Sequence, residues 1–304
     1  MIRIVTVLLL CLLNAAIAGL LSPLYEGLLR KVRATIHSRI GPPVTQPYWD
    51  LLKLLGKEDL RSVGGVAYAA LPSLALGSVL LLATLVPMGA AAPLSFAGDM
   101  IVVLYVAAMS SVLIMFCGLA NGSPYGSIGS SREMMMALSV EPVLAIALVV
   151  GAFKAKSLAL ASMTAFQTSN GPSISMAIAG LAFFLALQAQ AGKLPFDIAE
   201  ADQEIMGGPL VEQSGPRLAF LRWAIWTKQL VLAFLLVEVF LPWPRFGVLP
   251  FDLLTSGIKV LAVLLLVEVV DVVNPRLRID QAMGYFMRVA LSSLSALAFA
   301  VIGK

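Results

Sequence analysis

Several charged side chains fall well inside stretches otherwise apolar enough to cross a bilayer: Glu141, Lys228, Glu238, Lys259, Glu268 and Asp271. A charge at the bilayer centre costs at least about 2.5–3.5 kcal/mol on insertion scales, so such residues pair, snorkel or move ions. A buried carboxylate can exchange a proton near neutral pH, and a file of them bridged by water can carry protons. Glu141 and Glu268 are the deepest and shortest-armed acids, hence the leading ion-path candidates. Glu268 and Asp271 are three residues apart and share a helix face. Lys228, Lys259 and Asp271, near span ends, also suit structural ion pairs or snorkelling. Pro142 directly follows Glu141. It removes one helix hydrogen bond and leaves a carbonyl beside the carboxylate that can hold water, although a plain kink is the simpler reading.

A second set of acids lies between spans: Asp197, Glu200, Asp202, Glu204 and Glu212. Pro195 ahead of them fits a helix start with acids in its first turns. Glu200 and Glu204 would then be neighbours at i,i+4. Five acids among basic loops suit a cluster facing a cavity or a partner, and their spacing is not diagnostic of a metal. The first connection carries Glu26, Arg30, Lys31, Arg33 and Arg39, then the breaker Gly41-Pro42-Pro43 and an amphipathic stretch Trp49–Leu60. With Leu51, Leu52, Leu54 and Leu55 on one side, that stretch suits the membrane interface. His37, the only histidine, sits in a basic segment and reads as a surface residue. Cys11 and Cys117 both lie in apolar runs without a CxxC or Cys/His cluster. No cysteine-bound zinc or iron–sulfur centre, no other metal site and no catalytic side chain is expected on this chain. No glycine-rich nucleotide fingerprint occurs.

The elements that must position these residues follow from composition. Of 304 residues, 60% are hydrophobic and 12% charged, half the charged share of an average soluble domain, which is about 25%. Continuous apolar runs exclude the alternation of a β-barrel and require helices, because lipid offers the backbone no hydrogen-bond partner. About eight transmembrane helices are expected, near residues 2–22, 67–88, 100–119, 135–153, 174–191, 223–241, 254–273 and 284–302. The fourth is weakened by Arg132, Glu133, Glu141 and Pro142, and the fifth is short. The first stretch reads as a span rather than a cleaved signal, since no clean cleavage site precedes a soluble domain. The chain reads as an all-α, polytopic integral membrane protein, a single membrane domain over 1–304 without internal repeats. Its larger loops cover about 23–66, 120–134, 192–222 and 274–283. Those loops, with Arg288 just beyond the last, hold fourteen Lys or Arg residues against five on the other side. The positive-inside rule therefore places them in the cytoplasm and both termini outside, in a prokaryotic cytoplasmic membrane. The net charge of +4 is a matter of topology, not of nucleic-acid affinity.

Three loops carry a resemblance. Glu26-Gly-Leu-Leu-Arg30 through Arg39-Ile-Gly-Pro42, with Gln46-Pro47 and Lys53 to Glu58, resembles the first cytoplasmic loop of respiratory complex I subunit 1. Lys193-Leu-Pro-Phe-Asp197 followed by Glu200, Asp202, Glu204 and Glu212 resembles that family's acidic loop, and Arg132 with Glu141 nine residues on fits its pattern. Within the family the chain is most similar to the membrane subunit of group 4 energy-converting [NiFe] hydrogenases of the formate hydrogenlyase type. The segments Gly122–Glu133, Val140-Glu141-Pro142 and Gly192–Gly215 carry that likeness. Gln190 stands where a glutamate is often found, which removes one carboxylate from the series.

The resemblance implies a complex I subunit 1-like fold and a subunit that docks a hydrophilic arm and couples its hydrogen-evolving electron transfer to proton or sodium translocation. It implies no redox cofactor on this chain. The [NiFe] and iron–sulfur centres would sit on partners: hydrogenase large and small subunits and an iron–sulfur subunit, beside antiporter-like membrane subunits. The ion-path candidates are Glu141, Glu200, Asp202, Glu204, Glu212, Glu238, Lys228, Lys259, Glu268 and Asp271. The docking or pocket candidates are Glu26, Arg30, Arg33, Arg39, Arg132, Glu133, Lys193 and Asp197. Two competing readings use the same residues: the quinone-site membrane subunit of a complex I-like NADH or ferredoxin:quinone oxidoreductase, and a freestanding ion transporter. A third is a passive anchor without an ion path.

Overall fold

In the computed structural model, residues 2–60 and 66–303 are described; Arg61, counted above in the basic first loop, lies outside them. The helices in chain order are α1 (Ile2–Ile36), α2 (Gln46–Leu55), α3 (Val66–Leu85), α4 (Met100–Ala120), α5 (Pro124–Ala155), α6 (Leu160–Asn170), α7 (Ile174–Gln190), α8 (Asp202–Ile205), α9 (Gly215–Phe240), α10 (Leu249–Val273) and α11 (Ile279–Ile302). Seven of them are long and apolar enough to cross a membrane. The remaining one of the eight expected spans, the fifth in chain order, is α7, which has 17 residues and falls short of that length. The segment before α6 pairs with the start of α4 through Met100 N–H to the Leu158 carbonyl, and Lys193 just after α7 reaches Glu26 at the other end of the bundle. The chain is thus an all-α, multi-pass membrane protein. Among the described residues the only strand-like pairing is the single bridge Asp99–Ala159.

Two helices run further than hydropathy suggests. With 35 residues, α1 is about 52 Å long, well beyond a hydrocarbon core of about 30 Å. Glu26, Arg30 and Arg33, expected in a loop, ride on its projecting C-terminal part. Helix α5 starts at Pro124, so Arg132 and Glu133 are helical as well. Pro124 sits in the first turn, where its missing N–H is no loss. The glycines that follow serve close approach: a Cβ on Gly129 would come within 2.6 Å of Gly208 Cα. Pro142 lies inside α5 without ending it. The short helix α6 was not expected; it packs on α5 and α9.

Helix α9 is the pillar of the bundle, packed by α1, α2, α3, α7 and α10 and buried along nearly its whole length from Thr227 to Phe240. Its apolar surround fixes Lys228 and Glu238 in the interior at 4% and 2% exposure. The main core joins Leu230–Val237 of α9 to Val140–Leu148 of α5, Phe183–Leu187 of α7 and Phe286 of α11. Most of the acids and bases lie at one end of this bundle, called here the basic end; a smaller set with Glu238, Arg245 and Lys259 lies at the opposite end.

Candidate functional site

The connection from Gly192 to Ala201 organises the basic end, and it is not the helix start that Pro195 suggested. Its backbone is claimed by other elements. The Leu194 N–H donates to Asp271 Oδ1 (2.7 Å), the Leu194 carbonyl accepts from Gln188 (2.7 Å), and the Pro195 carbonyl accepts the Leu277 N–H (3.0 Å). Phe196 is buried against Tyr285 and Phe286. With these tertiary bonds in place the first helical turn comes only at Asp202, so Glu200 and Glu204 do not share a helix. Glu204 instead is exposed and pairs with Arg132 (2.7 Å) and Arg276 (3.5 Å). The Arg132 hydrogen bond, then the charges of both arginines, hold its carboxyl below the usual range.

One group of charges ties α1, α2 and α10 together. Arg33 bonds Glu268 and Asp271, each at 2.5 Å, and Arg30 bonds Glu26 and Asp50, each at 3.0 Å. Lys193 Nζ lies between the halves, 3.6 Å from Glu26 and 3.5 Å from Glu268. Glu268 is fully buried. The guanidinium of Arg30 also stacks over the Trp226 ring.

Glu141 is not part of that group. It faces a second one, with Glu133, Lys228 and Glu200. Glu133 and Glu141 are the carboxylates that act electrostatically on Lys228, and Glu133 is among those that act on Glu200. Burial, followed by the charges of Asp197 and Glu133, raises the Glu200 carboxyl to about 7, with Arg222 opposing. Burial likewise raises Asp197, against the pull of Arg276 at 3.2 Å. Three cavities string these groups together. At the surface of the basic end, Arg30, Glu200, Asp202, Arg222 and Trp226 line one of about 390 Å³. Behind it, Glu200, Asp197, Glu133, Lys228 and Gln190 enclose about 50 Å³, room for a few waters. Gln190 also borders the third, about 450 Å³ and mostly apolar, which contains Glu141 and Pro142. This last cavity opens on the flank of the bundle, where Tyr105 and Leu138 are exposed.

A third group closes the opposite end. Glu238 accepts from the Gly89 N–H (3.0 Å), Ser256 (2.7 Å) and Arg245 (3.1 Å), and Lys259 donates to the carbonyls of Leu241, Pro242 and Pro244. These two candidates are fully engaged in folding residues 241–248 over the ends of α9 and α10. Arg245→Ala removes a charge-assisted bond from a buried carboxylate and should cost about 1–3 kcal/mol. Hydrogen exchange measured by mass spectrometry should rise in residues 241–248; unchanged exchange there would show that the Arg245–Glu238 bond does not hold this segment in place.

Of the remaining candidates, Arg39, Asp202 and Glu212 are exposed and join none of the three groups by an ion pair. Sequence reasoning did not single out Ser111, Asp50, Arg222 or Arg276 as site residues. No spacing signal could have found Arg276 or Asp50, whose partners are distant in the chain; a serine among the apolar residues of α4 was the only hint of Ser111. Among the described residues, no group of His, Cys, Asp and Glu side chains could hold a metal ion.

The sequence pattern of the family described as NADH dehydrogenase matches residues 6–302. Formate hydrogenlyase subunit 4 of Escherichia coli (strain K12) is 35% identical over 278 residues, 88% of this chain and 91% of that protein. Hydrogenase-4 component C of the same organism is 37% identical over 263 residues, 85% and 83% of the two chains. A subunit of the NADH-quinone oxidoreductase of Syntrophotalea carbinolica is 30% identical over 275 residues, 84% of this chain and 83% of that one. A chain of the membrane-bound sulfane sulfur reductase, an archaeal respiratory membrane complex, superposes with a TM-score of 0.89 at 30% identity, covering 97% of this chain and 99% of its own.

Proposed function

Because the chain belongs to the NADH dehydrogenase family, that of respiratory complex I subunit 1, we infer that it is the membrane-embedded docking and coupling subunit of a membrane-bound [NiFe] hydrogenase complex. It links hydrogen-evolving electron transfer in a hydrophilic arm to proton or sodium translocation, and it works as one membrane domain. The hydrogenase assignment rests on the higher identity to the formate hydrogenlyase and hydrogenase-4 subunits than to the quinone oxidoreductase subunit. The coupling role is carried by one observation: between the exposed basic end and Glu141 lie three neighbouring cavities, the small one sharing Glu200 with the surface cavity and Gln190 with the flank cavity.

The residues do not suit a redox centre here. An iron–sulfur cluster takes about four thiolates, and the two cysteines lie on different helices, α1 and α4. The [NiFe] and iron–sulfur centres therefore belong to the large, small and iron–sulfur subunits docked on the basic end, with antiporter-like subunits alongside in the membrane. The excess of basic residues orients that end toward the cytoplasm of a prokaryotic inner membrane, with both termini outside. The arm meets a surface where Arg132, Arg276, Asp197 and Glu204 are already interlocked, so docking there is a matter of matched charges rather than apolar burial.

Glu141→Gln tests the reading. In the purified complex reconstituted in liposomes, it should lower proton or sodium uptake at least about tenfold while hydrogen evolution continues. Unchanged uptake would reduce the chain to an anchor, and a chain that transports alone, without co-purifying redox subunits, would make it a freestanding transporter. The cavity lined by Arg30, Glu200, Arg222 and Trp226 leaves quinone reduction as the second reading. Quinone-site inhibitors that block turnover would favour it.

A further inference from the structure

Lys228 is deeply buried, yet its ammonium is not held by a carboxylate. Nζ donates to Ser111 Oγ at 2.5 Å, and that hydroxyl in turn donates to Gln190 Oε1 at 3.4 Å. No carboxylate oxygen lies within ion-pair distance of Nζ among the described residues. This is unusual for a full charge in a low-dielectric interior, where an ammonium is normally paired. The seat is neutral because residue 190 is a glutamine: a carboxylate there would be one hydroxyl away and would fix the ammonium by a charge-assisted contact.

On either side of this seat stand the two acids that act on Lys228 electrostatically, Glu133 and Glu141. They lie eight residues apart on one helix, about 12 Å along its axis. Lys228 and Glu133 border the small cavity, Glu141 borders the flank cavity, and Gln190 borders both. A lysine side chain has the length and freedom to lean either way from a seat between them.

We propose that Lys228 is a toggling positioning residue, parked on the neutral Ser111–Gln190 pair so that its single positive charge passes between Glu133 and Glu141. One ammonium balances one carboxylate, so charge neutrality in this interior admits one proton on the two acids. When a proton arrives on Glu133, the ammonium turns to Glu141 and stabilises it as the anion, and the proton Glu141 held is released through the flank cavity. Glu133 then passes its proton to Glu141 along water in the two cavities that meet at Gln190, and the ammonium follows the negative charge back to Glu133, so one proton crosses in each cycle. No bond to Lys228 is made or broken; it moves charge, and the acids move the proton. The inference deepens the coupling role given above and rests on it.

The assembled complex in liposomes tests this, with hydrogen evolution and ion uptake measured on the same preparation. Lys228→Gln should cut uptake at least about tenfold with hydrogen evolution largely kept. Gln190→Glu should cut it about fivefold or more, because the new carboxylate pins the ammonium, and this variant should match the parent in thermal stability. Lys228→Arg, which keeps the charge, should recover part of the uptake lost in Lys228→Gln. Should Lys228→Gln fail to assemble, normal uptake in Gln190→Glu alone overturns the toggle. If Glu141→Gln abolishes uptake while Lys228→Gln and Gln190→Glu leave it intact, the path stands and the toggle falls. If Glu141→Gln is also without effect, the path itself falls, and the toggle with it.

Discussion

Arg33→Ala should destabilise the protein by about 3–5 kcal/mol, the range seen when one partner of a buried ion pair is removed. Arg33 itself is 38% exposed, but the figure follows from what it leaves behind: the Glu268 and Asp271 side chains are 1% and 7% exposed. Without the guanidinium, Glu268 keeps only Lys193, at 3.5 Å, a distance longer than a direct hydrogen bond between charged groups. Asp271 keeps the Leu194 N–H. The projecting end of α1 loses its hold on α10, and the 192–201 connection loses the anchor that shapes it. Arg33→Lys should fall in between, since an ammonium cannot serve two carboxylates through a planar fork. Adding Glu268→Gln and Asp271→Asn to Arg33→Ala should recover part of the loss, because the stranded charges are then gone. Thermal inactivation of the purified complex at a fixed heating rate would report all three. A loss below about 1 kcal/mol, or no recovery in the triple variant, would show that water already screens these acids.

The spans were legible because hydropathy responds to the one demand lipid makes of every residue, that it be apolar. Residues 100–119 and 174–191 match α4 and α7 to within a residue or so. The helices that leave the bilayer were hidden for the converse reason. Glu26, Arg30 and Arg33 recur at helical spacing, but a hydropathy window registers only their charge and ends the span near Ser22. The periodicity makes sense once α10 supplies Glu268 and Asp271 as partners, 235 and 238 residues from Arg33. The same blindness to tertiary partners made Pro195 look like a helix start, when Asp271, Gln188 and Leu277 had already taken the backbone around it.

The membrane acids were legible as outliers, but not their grouping. Hydropathy locates Glu141, Glu268 and Asp271 only by their depth along each span. Depth carries no azimuth, however, and in the bundle α10 turns its acids toward α1 while Glu141 on α5 meets Lys228. Glu238 was equally visible as a buried charge, yet its three hydrogen-bond partners come from α9–α10, α10 and the connection after α3, none of which its own helix pattern encodes. The sequence shows which residues are expensive to bury; the bundle shows which of them are satisfied and which, like Lys228, are not.

Glu200 is where that distinction meets pH. Its carboxyl is raised from 4.5 to about 7, first by burial and then by Asp197 and Glu133. A raised acid penalises the folded state wherever the unfolded chain would ionise it. Below about pH 4.5 Glu200 is neutral whether the chain is folded or not and contributes nothing to the difference. As pH rises from there to about 7, the unfolded chain ionises freely and the folded one does not, so stability falls; above about 7 the penalty is complete. At about 1.4 kcal/mol for each tenfold in proton affinity, it amounts to roughly 3–4 kcal/mol. Glu200→Gln should therefore leave the thermal stability of the complex near that of the parent at pH 5 and raise it clearly at pH 8. The same substitution removes the one acid shared by the surface cavity and the small cavity behind it. Ion uptake should then drop at least about tenfold and lose its inflection near pH 7, while hydrogen evolution persists. Equal stability gains at both pH values would mean that the substitution acts through packing. An uptake profile that kept its inflection would place the titrating group elsewhere than the mouth of the path.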